Sequence, residues 1–97
     1  MLFGERIKRL REERQLLQRQ LAAALEIDTP MYSKIERSDR RAKREQVIKL
    51  AALLHADQEE LISLWLADQV YNVIKDEAYA GKALNIVAEK MVEYGKR

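Results

Sequence analysis

From Phe3 to Tyr94 the apolar residues of this chain recur three and four positions apart, the spacing that gathers side chains on one face of an α-helix. A chain patterned in this way folds as helices packed through their apolar stripes. Composition supports the same conclusion, because the 97 residues include 3 Gly and 1 Pro amid many Leu, Ala, Glu, Lys, Arg and Gln, the profile of a mostly helical protein. The expected fold is all-α, with one compact unit and at most an appendage.

Phe3, Ile7 and Leu10 mark a first amphipathic helix over residues 3 to 13, with Glu5, Lys8, Arg9 and Glu12 on its charged outer face. The pattern breaks at Gln15 to Leu17. It restarts as Leu17, Leu21 and Leu25, with small Ala22, Ala23 and Ala24 letting another helix approach closely. Asp28 is a good N-cap, and Pro30 is tolerated only in a first turn, so a third helix is expected from Thr29. On that helix Met31, Tyr32 and Ile35 share one side, while Thr29, Pro30, Ser33, Lys34 and Arg37 fall opposite. Ser38 to Lys43 reads as a polar, basic loop. Val47, Leu50, Ala51 and Leu54 define a fourth helix from about Arg44, and Asp57 with Glu60 has capping-box spacing at the start of a fifth. Five short helices are thus expected within residues 3 to 66, with Met31, Tyr32, Leu54, Leu64 and Trp65 in the core.

Beyond them, Leu66, Val70, Val73, Glu77, Ala80, Leu84, Val87, Met91 and Tyr94 alternate spacings of four and three, a heptad seam with one polar position. Gly81 costs about 1 kcal/mol relative to Ala inside a helix and marks a candidate break near residues 78 to 82. One long helix and a helical hairpin both satisfy the pattern. The chain therefore divides into residues 1–66 and a helical extension, 67–97.

The charge is unevenly placed: residues 1 to 44 hold 12 Lys and Arg against 7 Asp and Glu, whereas residues 45 to 97 hold 6 against 9. A basic half beside an acidic half suggests that one face meets a polyanion. With no Cys and one His, neither a disulfide framework nor a thiolate metal site is expected, and His55 reads as a surface or helix-end residue. Glu12-Glu13 and Glu59-Glu60 are adjacent and do not share a helix face. No Gly-rich phosphate loop or nucleophile-base pair is present. Binding rather than catalysis is expected, without metal or cofactor, in a cytoplasmic protein with no leader or membrane span.

The stretch from Leu17 to Arg37 resembles the helix-turn-helix of the phage-repressor family, the Cro/C1 or XRE-type transcriptional regulators. Gln18 opens helix two, Leu21-Ala22 follow one turn on, and Ser33, Ile35 and Glu36 stand at the matching places of helix three. The resemblance covers about Phe3 to Trp65 and implies a five-helix lambda-repressor-like DNA-binding domain. Two positions depart from the family pattern. Glu26 occupies the turn position usually held by Gly, and Leu17 replaces the usual capping Thr or Ser.

By that resemblance helix three lies in the major groove, where each base pair displays a distinct set of donors and acceptors. Thr29, Pro30, Ser33 and Lys34 would then reach base edges. Lys34 has the chemistry to donate to guanine O6 or N7, and the carbons of Thr29 or Pro30 to touch a thymine methyl. Gln18 would contact a phosphate at the positive end of the helix two dipole. Arg37, Arg40, Arg41, Lys43 and Arg44 form a basic stretch for further phosphate contacts, which position without reading sequence. Acidic Glu36 is instead implied to pair with Arg11 in a structural role.

Val70, Val73, Leu84, Val87 and Met91 form the expected oligomerisation seam, the alternatives being that the seam packs back on the five-helix core or binds a different protein. A two-fold dimer would present two copies of helix three about one DNA turn apart, suited to an inverted-repeat operator in double-stranded DNA. The expected function is a sequence-specific transcriptional regulator acting as a homodimer, a repressor or autoregulator. The alternative is a protein-interaction module or antitoxin-type partner that works through its C-terminal helical segment.

Overall fold

The computed structural model describes residues 1–95 as six α-helices: α1 (Leu2–Glu13), α2 (Gln18–Leu25), α3 (Thr29–Glu36), α4 (Arg44–Leu53), α5 (Gln58–Ile74) and α6 (Ala80–Gly95). No strand occurs among the described residues. None of these helices is long and apolar enough to cross a membrane.

The first five helices each start on a side-chain acceptor that lies within reach. α3 begins as its residues predict, with Asp28 Oδ1 accepting from Met31 N at 2.7 Å and Pro30 in the first turn. Leu17 offers α2 no acceptor, but Gln20 Oε1 reaches back to accept from Leu17 N at 2.7 Å. Gln46 does the same for Lys43 N at the start of α4, at 2.9 Å. These are half capping boxes, made by the glutamine alone. Asp57 caps α5 by accepting from Glu59 N at 3.1 Å. Glu60 does not close a box there, because its carboxylate accepts from Arg6 Nε at 2.7 Å.

α1 takes its cap from the far end of the fold. Asp68, on α5, accepts from Leu2 N at 3.0 Å and from Phe3 N at 2.9 Å. The carboxylate thus meets two amides that lack partners within α1, at the positive end of its dipole.

The helix ends are more costly. Gln15, Glu26, Ser38 and His55 follow α1, α2, α3 and α4 with φ of 56°, 60°, 64° and 51°. None is glycine, and a side chain in this left-handed region costs roughly 1–2 kcal/mol per residue.

α1 packs on α3 and α5, α2 on α3 and α4, and α4 on α5. Their apolar faces meet in one core around Ile7, Leu21, Tyr32, Ile35, Leu50 and Leu61. Leu64 and Trp65 pack partly buried against this core, and Met31 is only partly buried. Gly4 lets α1 lie directly against the end of α3: a Cβ there would stand 2.3 Å from the Glu36 carbonyl oxygen.

The last two helices differ from the expected layout. α5 does not stop near residue 66 but continues to Ile74, so the boundary expected at 66/67 falls inside a helix. The break comes at residues 75 to 79, ahead of Gly81, which lies within α6. Asp76 is a poor helix former, whereas Gly81 sits in the first turn of α6, with no atom within 4 Å of a Cβ built there. α6 buries none of its residues.

Candidate nucleic-acid interface

α3 is held from behind. Tyr32, Ile35 and Glu36 are buried, which fixes the helix against α1 and α2 and turns its other face outward. Thr29, Pro30 and Lys34 are exposed on that face, and Ser33 is partly so. The structure therefore brings together the four residues expected to read bases.

Behind them, Arg11 donates to Glu36 through Nε at 2.7 Å and through Nη2 at 3.1 Å. This is a bidentate, charge-assisted pair, and the Glu36 side chain is 2% exposed. Arg11 Nη1 also donates to the Leu16 carbonyl at 3.0 Å, tying the end of α1 to the segment that leads into α2. Burial pushes the Glu36 pKa up, but the bonds from Arg11 and Gln18 and the nearby Tyr32 hydroxyl outweigh it and hold the carboxyl below its ordinary value. The Arg11 guanidinium is correspondingly raised, chiefly by its bond to Glu36. The Tyr32 hydroxyl is buried without a hydrogen bond of normal geometry. Its pKa is raised, first by burial and then by Glu36. The pairing of Arg11 with Glu36 expected from the resemblance is thus present in the structure.

Gln18 belongs to the same cluster, its Nε2 donating to Glu36 Oε1 at 3.1 Å. The bond locks the first turn of α2 to the last turn of α3. Gln18 also lines a shallow groove with Lys8 of α1, Ser33 of α3 and Arg37 just beyond it. Lys8 is a cation that the amphipathic pattern of α1 assigns only to a charged outer face. Helical spacing shows that it is exposed, but not that α1 turns it toward α3.

The basic stretch after α3 does not act as one patch. Arg37 forms an exposed pair with Asp39 at 3.2 Å and donates to Ser33 Oγ at 3.3 Å. Arg40 is exposed in the loop, and its backbone N–H donates to the Lys34 carbonyl at 3.3 Å. Lys43 stands exposed at the N-cap of α4. Arg41 and Arg44 are turned toward α5: Arg41 donates to Gln69 Oε1 at 2.8 Å, and the Arg44 guanidinium lies 5.3 Å from the Trp65 ring centre. Trp65 in turn donates to the Ala42 carbonyl at 2.8 Å, so the loop rests on α5. Exposed Lys and Arg at the start of a helix repel its dipole and leave its free amides open, an arrangement relieved by an anion.

The seam is not wholly separate from this face, because Val73 lines a shallow depression together with Arg41, Gln69 and Asn72. Val70, Val73, Leu84, Val87 and Met91 are 47%, 76%, 42%, 56% and 64% exposed, the first two on α5 and the others on α6.

A family model described as a helix-turn-helix domain matches residues 2–64, the span from α1 through the first part of α5. No curated protein and no solved structure matches the chain.

Proposed function

The chain belongs to the helix-turn-helix domain family, and we propose that it is a sequence-specific, DNA-binding transcriptional regulator that inserts α3 into the major groove. The observation that carries this reading is the two-sided construction of α3. Its buried side is fixed by Tyr32, Ile35 and the Glu36 cluster, and its outer side presents Thr29, Pro30, Ser33 and Lys34. A helix held rigidly on one side keeps its reading groups in register with base edges.

Lys34 donates to guanine, and Thr29, Pro30 and Ser33 complete the base-reading face. Phosphates are met by Gln18 through its second amide N–H, and by Arg37, Arg40, Arg41, Lys43 and Arg44. Arg41 and Arg44 act from fixed positions because α5 holds them, whereas Arg40 and Lys43 act as flexible charges. The protein works as a homodimer on an inverted-repeat operator, associating through Val70, Val73, Leu84, Val87 and Met91, and represses in the cytoplasm by occluding a promoter, its own included.

Selection from a random-sequence duplex pool at two salt concentrations tests this. Enrichment of an inverted repeat is expected. Lys34→Ala should cost about 1–3 kcal/mol and relax one base position in each half-site. Arg40→Ala should weaken all sequences alike and reduce the salt slope by about 1. No enriched sequence, with weak binding that vanishes in salt, would overturn the regulator reading.

A further inference from the structure

α5 and α6 each carry an apolar face that the chain leaves uncovered. On α5, the side turned away from the core holds Leu66, Ala67, Val70, Val73 and Ile74 with no charged residue among them. On α6, Ala80, Leu84, Val87 and Met91 fall within a narrow stripe, also without charge, and no residue of the helix is buried. Isolated exposed apolar residues are ordinary. Two contiguous stripes on neighbouring helices mark an interaction surface.

A connection of five residues is long enough for an antiparallel helical hairpin, yet α6 does not lie back on its own α5. The connection is itself built of hydrogen-bonded turns. Glu77 N donates to the Ile74 carbonyl at 3.0 Å, Ala80 N to Glu77 O at 3.3 Å and Ala83 N to Tyr79 O at 3.0 Å. These bonds order the connection in the direction that carries α6 away from α5. Among the described residues nothing covers either stripe.

We propose that the cover is a second copy of this chain, with α6 of each copy lying along the outer face of α5 of the other. This rests on the homodimer reading above and specifies its architecture. Two features select a second copy over a foreign protein. The surface contains both halves of the contact, an apolar helix and an apolar helical face to receive it, so one two-fold rotation covers both stripes in both chains. Neither stripe carries a charge, so the copies meet without like-charge repulsion at the centre. Lengths agree as well. α6 is about 24 Å long and the stripe from Leu66 to Ile74 about 12 Å, so one α6 is long enough to cover the whole of the stripe on the other copy. The result is a four-helix contact of two α5 ends and two α6 helices.

The chain has no cysteine, so introduced thiols report unambiguously. Val70→Cys and Leu84→Cys are prepared as separate proteins, co-refolded and oxidised, and Val70→Cys is paired likewise with Met91→Cys. All three positions are exposed, and circular dichroism checks that each variant folds. The proposal expects a covalent species of twice the chain mass that contains one chain of each variant, together with a parent dimer in sedimentation. It also expects Val87→Asp to shift the parent from dimer to monomer mass while leaving the helical signal intact. A parent dimer in which neither mixed pair links overturns the exchange but leaves the homodimer standing. A parent that sediments as a monomer at all concentrations overturns both. A chain carrying Val70→Cys and Leu84→Cys together that closes an internal disulfide as a monomer shows α6 folding back, and also overturns the exchange.

Discussion

Residues 2–65 and residues 66–95 are built from the same apolar side chains at the same helical spacing, with opposite outcomes. In the first region Ile7, Tyr32, Val47, Leu50 and Leu61 reach 0% exposure, whereas of the fifteen large apolar side chains left exposed, eleven lie at or beyond Leu66. Periodicity is the same in both. What differs is whether a second helix of the same chain is available to receive the stripe. α1, α2, α3, α4 and the first turns of α5 pack on one another, while α6 follows a hydrogen-bonded connection that leads it away. A 3.6-residue period thus identifies the face that will be covered, but not the molecule that will cover it.

The sharpest way to test that contrast is to make one chemical change in both regions. Leu50→Ala should cost about 2–5 kcal/mol in urea unfolding, because it removes a fully buried side chain and leaves a cavity. Leu84→Ala should change the stability of the monomer by less than about 0.5 kcal/mol. Comparable losses from the two would erase the distinction between the regions.

Next in size is Glu36→Gln, which leaves Arg11 without its counter-charge in a nearly closed site and should cost about 3 kcal/mol. Because folding lowers the Glu36 pKa, the stabilisation is complete above its ordinary value of 4.5 and is lost as pH falls through the folded value. Parent stability should therefore decline below about pH 4.5, and that part of the decline should be absent from Glu36→Gln. A variant with the same acid limb as the parent would assign the decline to other carboxylates.

A smaller effect tests where the first region ends. Asp68→Ala uncaps α1 from a position beyond residue 66, and a loss of about 1 kcal/mol is expected. Thermal unfolding would show it. No change would mean that the packed unit owes nothing to the second half of α5.

The smallest effect concerns a turn. Glu26→Gly relieves a left-handed side chain worth roughly 1–2 kcal/mol but adds the backbone freedom of glycine, about 0.5–1 kcal/mol. A net gain of about 0.5 kcal/mol in denaturant unfolding is expected, and a loss would show that packing around Ile27 rather than backbone strain governs this turn.

The features legible in the sequence were local. Asp28 and Pro30 locate the start of α3, Leu25 the end of α2, and Arg44 the start of α4, because caps, breakers and periodicity act within a few residues. The outward face of α3 follows from the same arithmetic. What escaped depends on residues far apart in the chain. Asp68 capping α1, Glu60 leaving its own helix for Arg6, and Arg41 and Arg44 held by Gln69 and Trp65 are all set by how helices pack. The end of α5 is hidden from the sequence for a related reason. The heptad runs through Leu66 without interruption, and the break falls at the charged residues 75 to 77 rather than at the glycine, the more conspicuous signal.

The bonds that α5 sends back to the rest of the fold also bear on what counts as a self-sufficient piece of this protein. The family match closes at residue 64, but Trp65 carries the 38–43 loop, Asp68 starts α1 and Gln69 holds Arg41. A fragment cut where the family resemblance stops would keep every side chain assigned to DNA and lose the four hydrogen bonds that Trp65, Asp68 and Gln69 make to α1 and to the loop after α3. The recognisable unit is shorter than the bonded one, and the difference is about a turn and a half of helix.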